Sequence, residues 1–383
     1  MTYEPAQPPA WRPTVDIDLD ALCANYRLLA AASPGAEPAA VVKCDGYGLR
    51  AGPIAQALAL AENCRTFFVA YPEEGAALRA ALGEAAAHAT IYVFNGPRAD
   101  TLDLFVAHRL TPILNSRDQA ALWTATHPGA AAGLQVDTGM NRIGAPYTEL
   151  PAIASLKGLV LNLVMSHLAC SSDPAHAMNA AQLELFEKSA ALFPGVRRSL
   201  AASSGALLPA AYHYDLTRLG VGLYGASPLD DRAAPIRPVA RLTAPVTQLR
   251  DAAPGETVGY GATHAFDAPR RLAIVQLGYG DGFPRSGGNT AKAFAGGARC
   301  PVVGRVSMDY IALDITDAPT PVAPGDRAEF FGPNLCIDDA ASSCDTIPYE
   351  LLTGLGARVH RRYLWRQAPA LWRAPEQAGS LRA

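Results

Sequence analysis

Eight short apolar runs, separated by segments of helical period, fill the chain up to about Gly225 and leave few folds open to it. They are AAVVKC, TFFVAYP, TIYVFNG, LTPILN, GLQVDTG, LNLVMSHLA, RRSLAASS and LTRLGVGLYG. Between them lie stretches such as EEGAALRAALG and NAAQLELFEKSAALF, whose apolar residues recur at helical spacing. Strand–helix alternation implies right-handed βαβ units and a parallel sheet. About eight such units is the count at which the sheet closes into a barrel. A further helix, DLDALCANYRLLAAA, precedes the first run, with Asp18 or Asp20 as its cap.

Polar residues gather at the C-terminal ends of these runs: Lys43, Asn95, Asp137, His167, Ser203, Ser204 and Arg218. In a β/α barrel that rim carries the active site. Lys43 stands out because it closes the run Ala39-Ala40-Val41-Val42 and is followed at once by the turn Asp45-Gly46-Tyr47-Gly48. An ammonium there is costly unless it reaches water or does chemistry. Desolvation lowers its pKa, which suits an amine that forms a Schiff base.

Beyond about residue 230 the pattern changes. VARLTAPVTQLRDA, LAIVQLGYG, CPVVGRVSMDYIALDI and DRAEFFG show β-type alternation between Gly and Pro turns, and helical pattern returns only weakly around Tyr349–Gly356. At 383 residues the chain exceeds one ordinary core. The expected fold is therefore α/β, an N-terminal (β/α)8 barrel with a C-terminal mostly β domain. Its expected parts are a flexible N-terminus over 1–13, the barrel over 14–234, the β domain over 235–365 and a tail over 366–383.

A formal net charge of −3 gives no electrostatic reason for nucleic acid or an anionic membrane as partner. The start, MTYEPAQPPAWRP, lacks the apolar segment of a signal peptide, and no apolar run reaches membrane-spanning length. Seven scattered cysteines without a C-x-x-C pair argue against a disulfide framework and against a zinc site. A reduced, soluble, cytoplasmic protein without a metal is expected.

The segments VVKCDGYG (41–48), VDTGMNRIG (136–144), RLGVGLYGASP (218–228) and LGYGDGFPR (277–285) occur in this order with VMSHLA, VGYGA, VVGRVSMDYIALDI and YELLTGLGARV. As a set they resemble the alanine racemase family, from about Val41 to Tyr363. The resemblance implies pyridoxal 5'-phosphate as cofactor, an amino acid as substrate, and a head-to-tail homodimer whose active sites use residues of both chains. It implies Lys43 as the residue that carries the cofactor and then serves as an amine on one face of the substrate Cα. Tyr260, from the partner subunit, is implied as the acid/base on the opposite face, with Arg218 and His167 as candidate cations in the network that supports it. Arg218 is implied at the pyridine nitrogen; an arginine cannot accept that nitrogen's proton, so the ring stays neutral and the electron sink weak.

By the same resemblance the phosphate is held by backbone N–H groups near Gly220 and Val221, by Ser204, and by the phenols of Tyr47 and Tyr349. Arg142 bonds the cofactor's phenolic oxygen and the substrate carboxylate. Met308 and Asp309 present their backbone to that carboxylate across the dimer interface, and Tyr279 narrows the entrance. Plainer roles stay open on the residues alone: Ser203 as a helix cap, Asp309 as a turn residue, Tyr260 as a sheet aromatic.

The chain departs from the family pattern at Gln135, where many members have a carbamylated lysine that orients the arginine. Leu49-Arg50 replaces His-Gly, Ser203 a common asparagine and Ser307 a common cysteine. Racemisation of alanine is the leading reading. A racemase of serine or lysine, a non-catalytic pyridoxal-phosphate-binding protein, and a decarboxylase of similar architecture are the competing ones. Arg218 argues against the decarboxylase, and the long C-terminal domain with Tyr260 against the binding protein.

Overall fold

The first strand of the chain, β1 (Thr14–Asp18), does not belong to the barrel, although the barrel was expected to start at residue 14. In the computed structural model, which describes residues 10–369 and Trp372, the chain forms two compact units. One holds residues 10–22, Tyr224–Ala226 and Ile236–Ala368; the other holds Cys23–Leu223 and Ser227–Pro235 with Pro369 and Trp372. Residues 1–9 of the expected flexible N-terminus lie outside the described residues, as do 370, 371 and 373–383 of the expected tail.

In the barrel unit all eight apolar runs become parallel strands: β2 (Glu37–Val41), β3 (Thr66–Val69), β4 (Thr90–Val93), β5 (Thr111–Leu114), β6 (Ala131–Asp137), β8 (Val160–Met165), β9 (Arg197–Ser199) and β10 (Leu216–Leu219). A two-residue strand, β7 (Ala145–Pro146), adds to β6. The order is β10-β2-β3-β4-β5-β6-β8-β9. A parallel bridge between Ala202 and Arg218, with Arg218 N–H donating to the Ala201 carbonyl at 2.9 Å, joins the two ends. Strands buried on both faces read as unbroken apolar runs, which is why these were visible in the sequence.

The helix Leu19–Ala32 starts where Asp18 Oδ1 accepts the Ala21 N–H at 2.9 Å, so Asp18 and not Asp20 caps it. Asp20 accepts backbone N–H groups of Arg366 and Gln367 instead. Helices Ala51–Ala61 and Pro72–Leu82 pack their apolar faces, Ile54, Leu58, Leu78 and Leu82 among them, onto the strands. Inside, Phe68 stacks on Tyr92 and on Phe94 with ring centroids 4.9 and 5.0 Å apart.

The other unit is mostly sheet. Its spine is β11 (Ala240–Ala252), which pairs antiparallel with β1, with β14 (Arg270–Val275) and with β18 (Arg327–Phe331). A short hairpin of β12 (Thr257–Val258) and β13 (His264–Ala265) projects from it. Strands β15 (Lys292–Ala295) and β16 (Ala298–Pro301) form a second hairpin, and β17 (Ile311–Asp314) pairs with β14. Strand β19 (His360–Leu364) runs parallel to β1.

Two acids in TVDID disguise β1 as solvated, yet Asp16 is buried and takes both Nε and Nη2 of Arg362, at 2.7 and 2.8 Å. A partner so distant in sequence is invisible to local pattern. Helix Pro348–Thr353 lies in the stretch where helical pattern returns, whereas Ile337–Ser343, with buried Ile337, Ala340 and Ala341, was not expected.

Phe68→Ala is expected to cost about 3–5 kcal/mol, the range for emptying a buried aromatic position. The urea midpoint followed by near-ultraviolet circular dichroism checks this, and a midpoint within error of the parent would show that the stack carries no weight.

Candidate active site

Immediately past β2 the backbone turns left-handed. Cys44, Asp45 and Tyr47 have φ of 55°, 51° and 54°, with Gly46 at 65° between them. Left-handed backbone costs a non-glycine residue roughly 1–2 kcal/mol, so something must hold the turn. Asp45 accepts the Ala51 N–H at 3.0 Å and the Arg50 guanidinium at 2.6 Å. Glu74 accepts the Cys44 N–H at 2.7 Å and, through its other oxygen, the Ala70 N–H at 2.7 Å. A side chain at Gly46 would meet Ala51 N at 2.9 Å, so the turn closes only over glycine.

This turn carries Lys43 at its start. The ammonium is half-buried, 5.7 Å from the Phe94 ring centroid. Burial, then the charge of Arg142, lowers its pKa. Tyr47, at the other end of the turn, is buried.

Arg218 sits within β10, not beyond its end, and is almost fully buried. Nη1 donates to the Ser199 carbonyl and hydroxyl at 2.9 and 2.6 Å. Nη2 donates to the carbonyls of Ser166 and Leu200 at 2.5 and 3.2 Å, and lies 3.5 Å from His167 Nδ1. Nε makes no hydrogen bond among the described residues, and no carboxylate acts on the charge. Burial lowers the Arg218 pKa from so high a value that the guanidinium stays charged at neutral pH.

His167 follows β8 and is pushed down to about 3 by burial and by Arg218, Arg142 and Lys43 in turn. Such a value leaves the imidazole uncharged near neutral pH, unlike the cation expected from the resemblance. Burial and the neighbouring charges of Arg218, Arg142 and Lys43 disfavour the protonated imidazole, which leaves it as an uncharged neighbour of Arg218.

Arg142 is exposed on the loop between β6 and β7. Gln135, buried in β6, donates to the Ile143 carbonyl at 2.9 Å. The amide therefore holds the loop backbone beside Arg142. Asp137 caps the same loop by accepting the N–H groups of Gly139 and Asn141 at 2.9 and 3.2 Å.

At the other side of the rim, Ser203 Oγ accepts the N–H groups of Gly220 and Gly222 at 2.8 and 3.4 Å. The Gly220 N–H, expected near the phosphate, donates here to Ser203 Oγ. Gly220 matters by what it lacks, since a Cβ there would lie 2.7 Å from Tyr47 Oη. The Val221 N–H has no partner among the described residues. Ser204 pairs its hydroxyl with Ser171 at 2.6 Å and offers its second lone pair or proton to a ligand. Asn95 is a loop residue whose carbonyl accepts from Gln119 at 3.0 Å.

The remaining candidates lie in the sheet unit. Tyr260 tops the β12–β13 hairpin between Gly259 and Gly261, both at positive φ, and is 68% exposed. Tyr279 opens a turn after β14 and, through its N–H, donates to the Ser307 carbonyl at 3.1 Å. Met308 and Asp309 follow on the adjoining loop, and their own N–H groups have no acceptor among the described residues. Tyr349 is the second residue of the helix Pro348–Thr353, its phenol pushed up by burial and by Asp338.

Two family models match the chain: Alanine racemase, N-terminal domain, over residues 17–228, and Alanine racemase, C-terminal domain, over residues 239–363. The chain belongs to the alanine racemase family. It is 43% identical over 357 residues to the alanine racemase of Rhodospirillum rubrum, covering 91% of this chain and 94% of the relative. A catabolic alanine racemase of Agrobacterium fabrum is 42% identical over 357 residues and 91% of each chain. The alanine racemase structure from Bartonella henselae, described with covalently bound pyridoxal phosphate, superposes with a TM-score of 0.87 at 35% identity, over 92% of this chain and 99% of that one.

This racemase carries the groups that such a cofactor needs. Lys43 offers an amine of lowered pKa, Arg218 leaves Nε unbonded, Val221 offers an N–H, and the bare Cα of Gly220 leaves room beside Tyr47. Sequence reading missed Glu74, Ser166 and Ser199. Glu74 had a local signal, since it stands three residues after the extended Tyr71 and accepts its N–H as in a capping box. The serines had none, because a small polar residue on a strand does not announce the guanidinium that it meets.

His167 is held near 3 in the fold, against an ordinary 6.5. The unfolded racemase binds a proton that the folded one refuses, so stability falls as pH drops from about 6.5 toward 3, by at most about 1.4 kcal/mol per pH unit for one proton. His167→Asn is expected to flatten the pH dependence of the unfolding midpoint in that window. An unchanged slope would mean that the folded imidazole is already protonated.

Proposed function

We propose that this racemase interconverts L-alanine and D-alanine with two proton carriers on opposite faces of the substrate, Lys43 and Tyr260 of the partner subunit. Bound pyridoxal phosphate supplies the electron sink that makes the α-proton removable. Lys43 Nζ would hold the cofactor covalently and, as a free amine, would take or return a proton at the substrate Cα. Its lowered pKa keeps a larger neutral fraction near pH 7 than an ordinary lysine has, as a base requires. That observation carries the reading.

Arg218, whose Nε is unbonded among the described residues, would hold the pyridine nitrogen and keep it unprotonated, because a guanidinium donates and never accepts. Val221 N–H, Ser204, Tyr47 and Tyr349 bind the phosphate, with Gly220 making room. Arg142 bonds the cofactor's phenolic oxygen and the substrate carboxylate, on a loop steadied by Gln135. Met308 and Asp309 direct backbone N–H groups at that carboxylate, and Tyr279 narrows the entrance.

A head-to-tail homodimer is part of this reading. It is supported by the aromatic and apolar residues left in solvent on the sheet unit, Tyr260, Met308, Tyr310 and Tyr279 at 68%, 53%, 47% and 43% exposure. A patch of that kind marks an interaction surface. The reaction would take place in the cytoplasm and either supply D-alanine for peptidoglycan or open D-alanine to catabolism.

Lys43→Ala is expected to abolish the visible Schiff-base band of the purified protein and all exchange of the alanine α-proton with deuterated solvent. Tyr260→Phe is expected to slow exchange from one enantiomer at least about tenfold more than from the other, within the range for removing a general acid/base. Equal loss from both enantiomers would sink the two-carrier assignment. Faster turnover of serine or lysine than of alanine would replace the substrate.

A further inference from the structure

Arg358, just before β19, ties together two loops of the sheet unit that no catalytic argument has yet connected. Its Nε donates to Asp281 Oδ1 at 2.9 Å, its Nη1 to Asp309 Oδ1 at 2.8 Å, and its Nη2 lies 3.5 Å from the Met308 carbonyl. Asp281 is buried, and its other oxygen accepts the Gly278 N–H at 3.0 Å. The loops themselves are laced by Tyr279 N–H to Ser307 O at 3.1 Å and Gly280 N–H to Met308 O at 2.9 Å. There is no slack in this arrangement. A Cβ on Gly278 would fall 2.2 Å from the Met308 carbonyl, and one on Gly280 would fall 2.6 Å from Arg358 Nη2.

This lacing uses the carbonyls of Ser307 and Met308 and leaves the N–H groups of Met308 and Asp309 without acceptors among the described residues. Unpaired consecutive N–H groups are good ligands for an anion. The Asp309 carboxylate, on the same residue as one of those donors, is a poor neighbour for a second carboxylate, because like charges at short range repel. Arg358 pairs with it and removes that repulsion.

We infer that Arg358 is a positioning residue for substrate: it neutralises Asp309 and holds the Met308–Asp309 N–H groups and the Tyr279 turn in one arrangement that accepts a carboxylate. The inference rests on the reading above that these N–H groups meet the substrate carboxylate. Arg358 itself touches no reacting atom. Its effect is on recognition of the acid group, shared by both enantiomers.

The test uses the cofactor-loaded enzyme and two readouts, KM for each alanine enantiomer and the inhibition constant of propionate, which has the carboxylate and lacks the amine. Arg358→Gln is expected to raise both by about tenfold, the scale of one charge-assisted hydrogen bond, with a smaller change in kcat. Arg358→Lys keeps the charge without the two-pronged geometry and is expected to lose less. Adding Asp309→Asn to Arg358→Gln removes the uncompensated charge on the residue that bears the N–H donor, while Asp281 keeps the Gly278 N–H, and is expected to bring KM and the propionate constant back to within about threefold of the parent.

If the double variant stays as weak as Arg358→Gln, charge compensation is wrong. If Arg358→Gln leaves both constants unchanged while propionate competes with alanine in the parent, Arg358 has no positioning role and the reading of the site stands. If propionate does not compete in the parent, the carboxylate site and the inference fall together. Should Arg358→Gln not fold, Arg358→Lys decides, since a KM and propionate constant equal to the parent's would show that the two-pronged contact does nothing.

Discussion

A guanidinium buried in the barrel without a carboxylate is the constraint on which the rest of the site depends. Removing a charge from water costs several kcal/mol even after relaxation, and Arg218 offsets this with carbonyls of Ser166, Ser199 and Leu200 and the Ser199 hydroxyl. Those carbonyls lie at the ends of neighbouring strands, so the charge and the closure of the barrel support each other. The Ala202–Arg218 bridge is where β9 and β10 meet. The same charge is the largest neighbour effect on His167, which stays neutral, and Arg142 adds to the burial that lowers Lys43. A mouth with three cations and a neutral imidazole suits a ligand that brings a phosphate and a carboxylate.

The left-handed turn after Lys43 is the second expense of the site. Strained backbone persists only where the surroundings over-determine it. Here Asp45 and Glu74 supply acceptors to the turn from two directions, and Gly46 admits the helix Ala51–Ala61 against it. Glu74 also holds the end of β3 through Ala70, so the turn is fixed to two adjacent strands of the barrel. The lysine therefore starts from a rigid base, and its long side chain is the part free to reach a ligand and a proton.

Most of this architecture was legible, and the exceptions share a cause. The eight barrel strands could be read because burial on both faces leaves an apolar run in the sequence itself. Strand β1 could not, because Asp16 is compatible with burial only through Arg362, near the other end of the chain. Residue types at the rim were readable, as was the set Lys43, Arg142, His167 and Arg218. Their states were not. That His167 is neutral follows from a summed field of cations brought together by folding, and that the Gly220 N–H is occupied follows from Ser203, which sequence alone offered equally as a helix cap. Gln135 was visible as a departure, but its contact with the Ile143 carbonyl, not with the Arg142 side chain, is a matter of three-dimensional reach.

The two units carry different chemistry. The barrel mouth carries the amine and the cations, all positive or neutral, and so it favours an anionic ligand. The sheet unit carries a phenol on a glycine-flanked tip and N–H groups left unpaired by the lacing of two loops. Its carboxylates, Asp281 and Asp309, are both engaged by Arg358, so the surface it shows to a substrate is not acidic despite two aspartates within it. Pairing those aspartates internally leaves an aromatic, N–H-rich face on this unit whose carboxylates are already engaged.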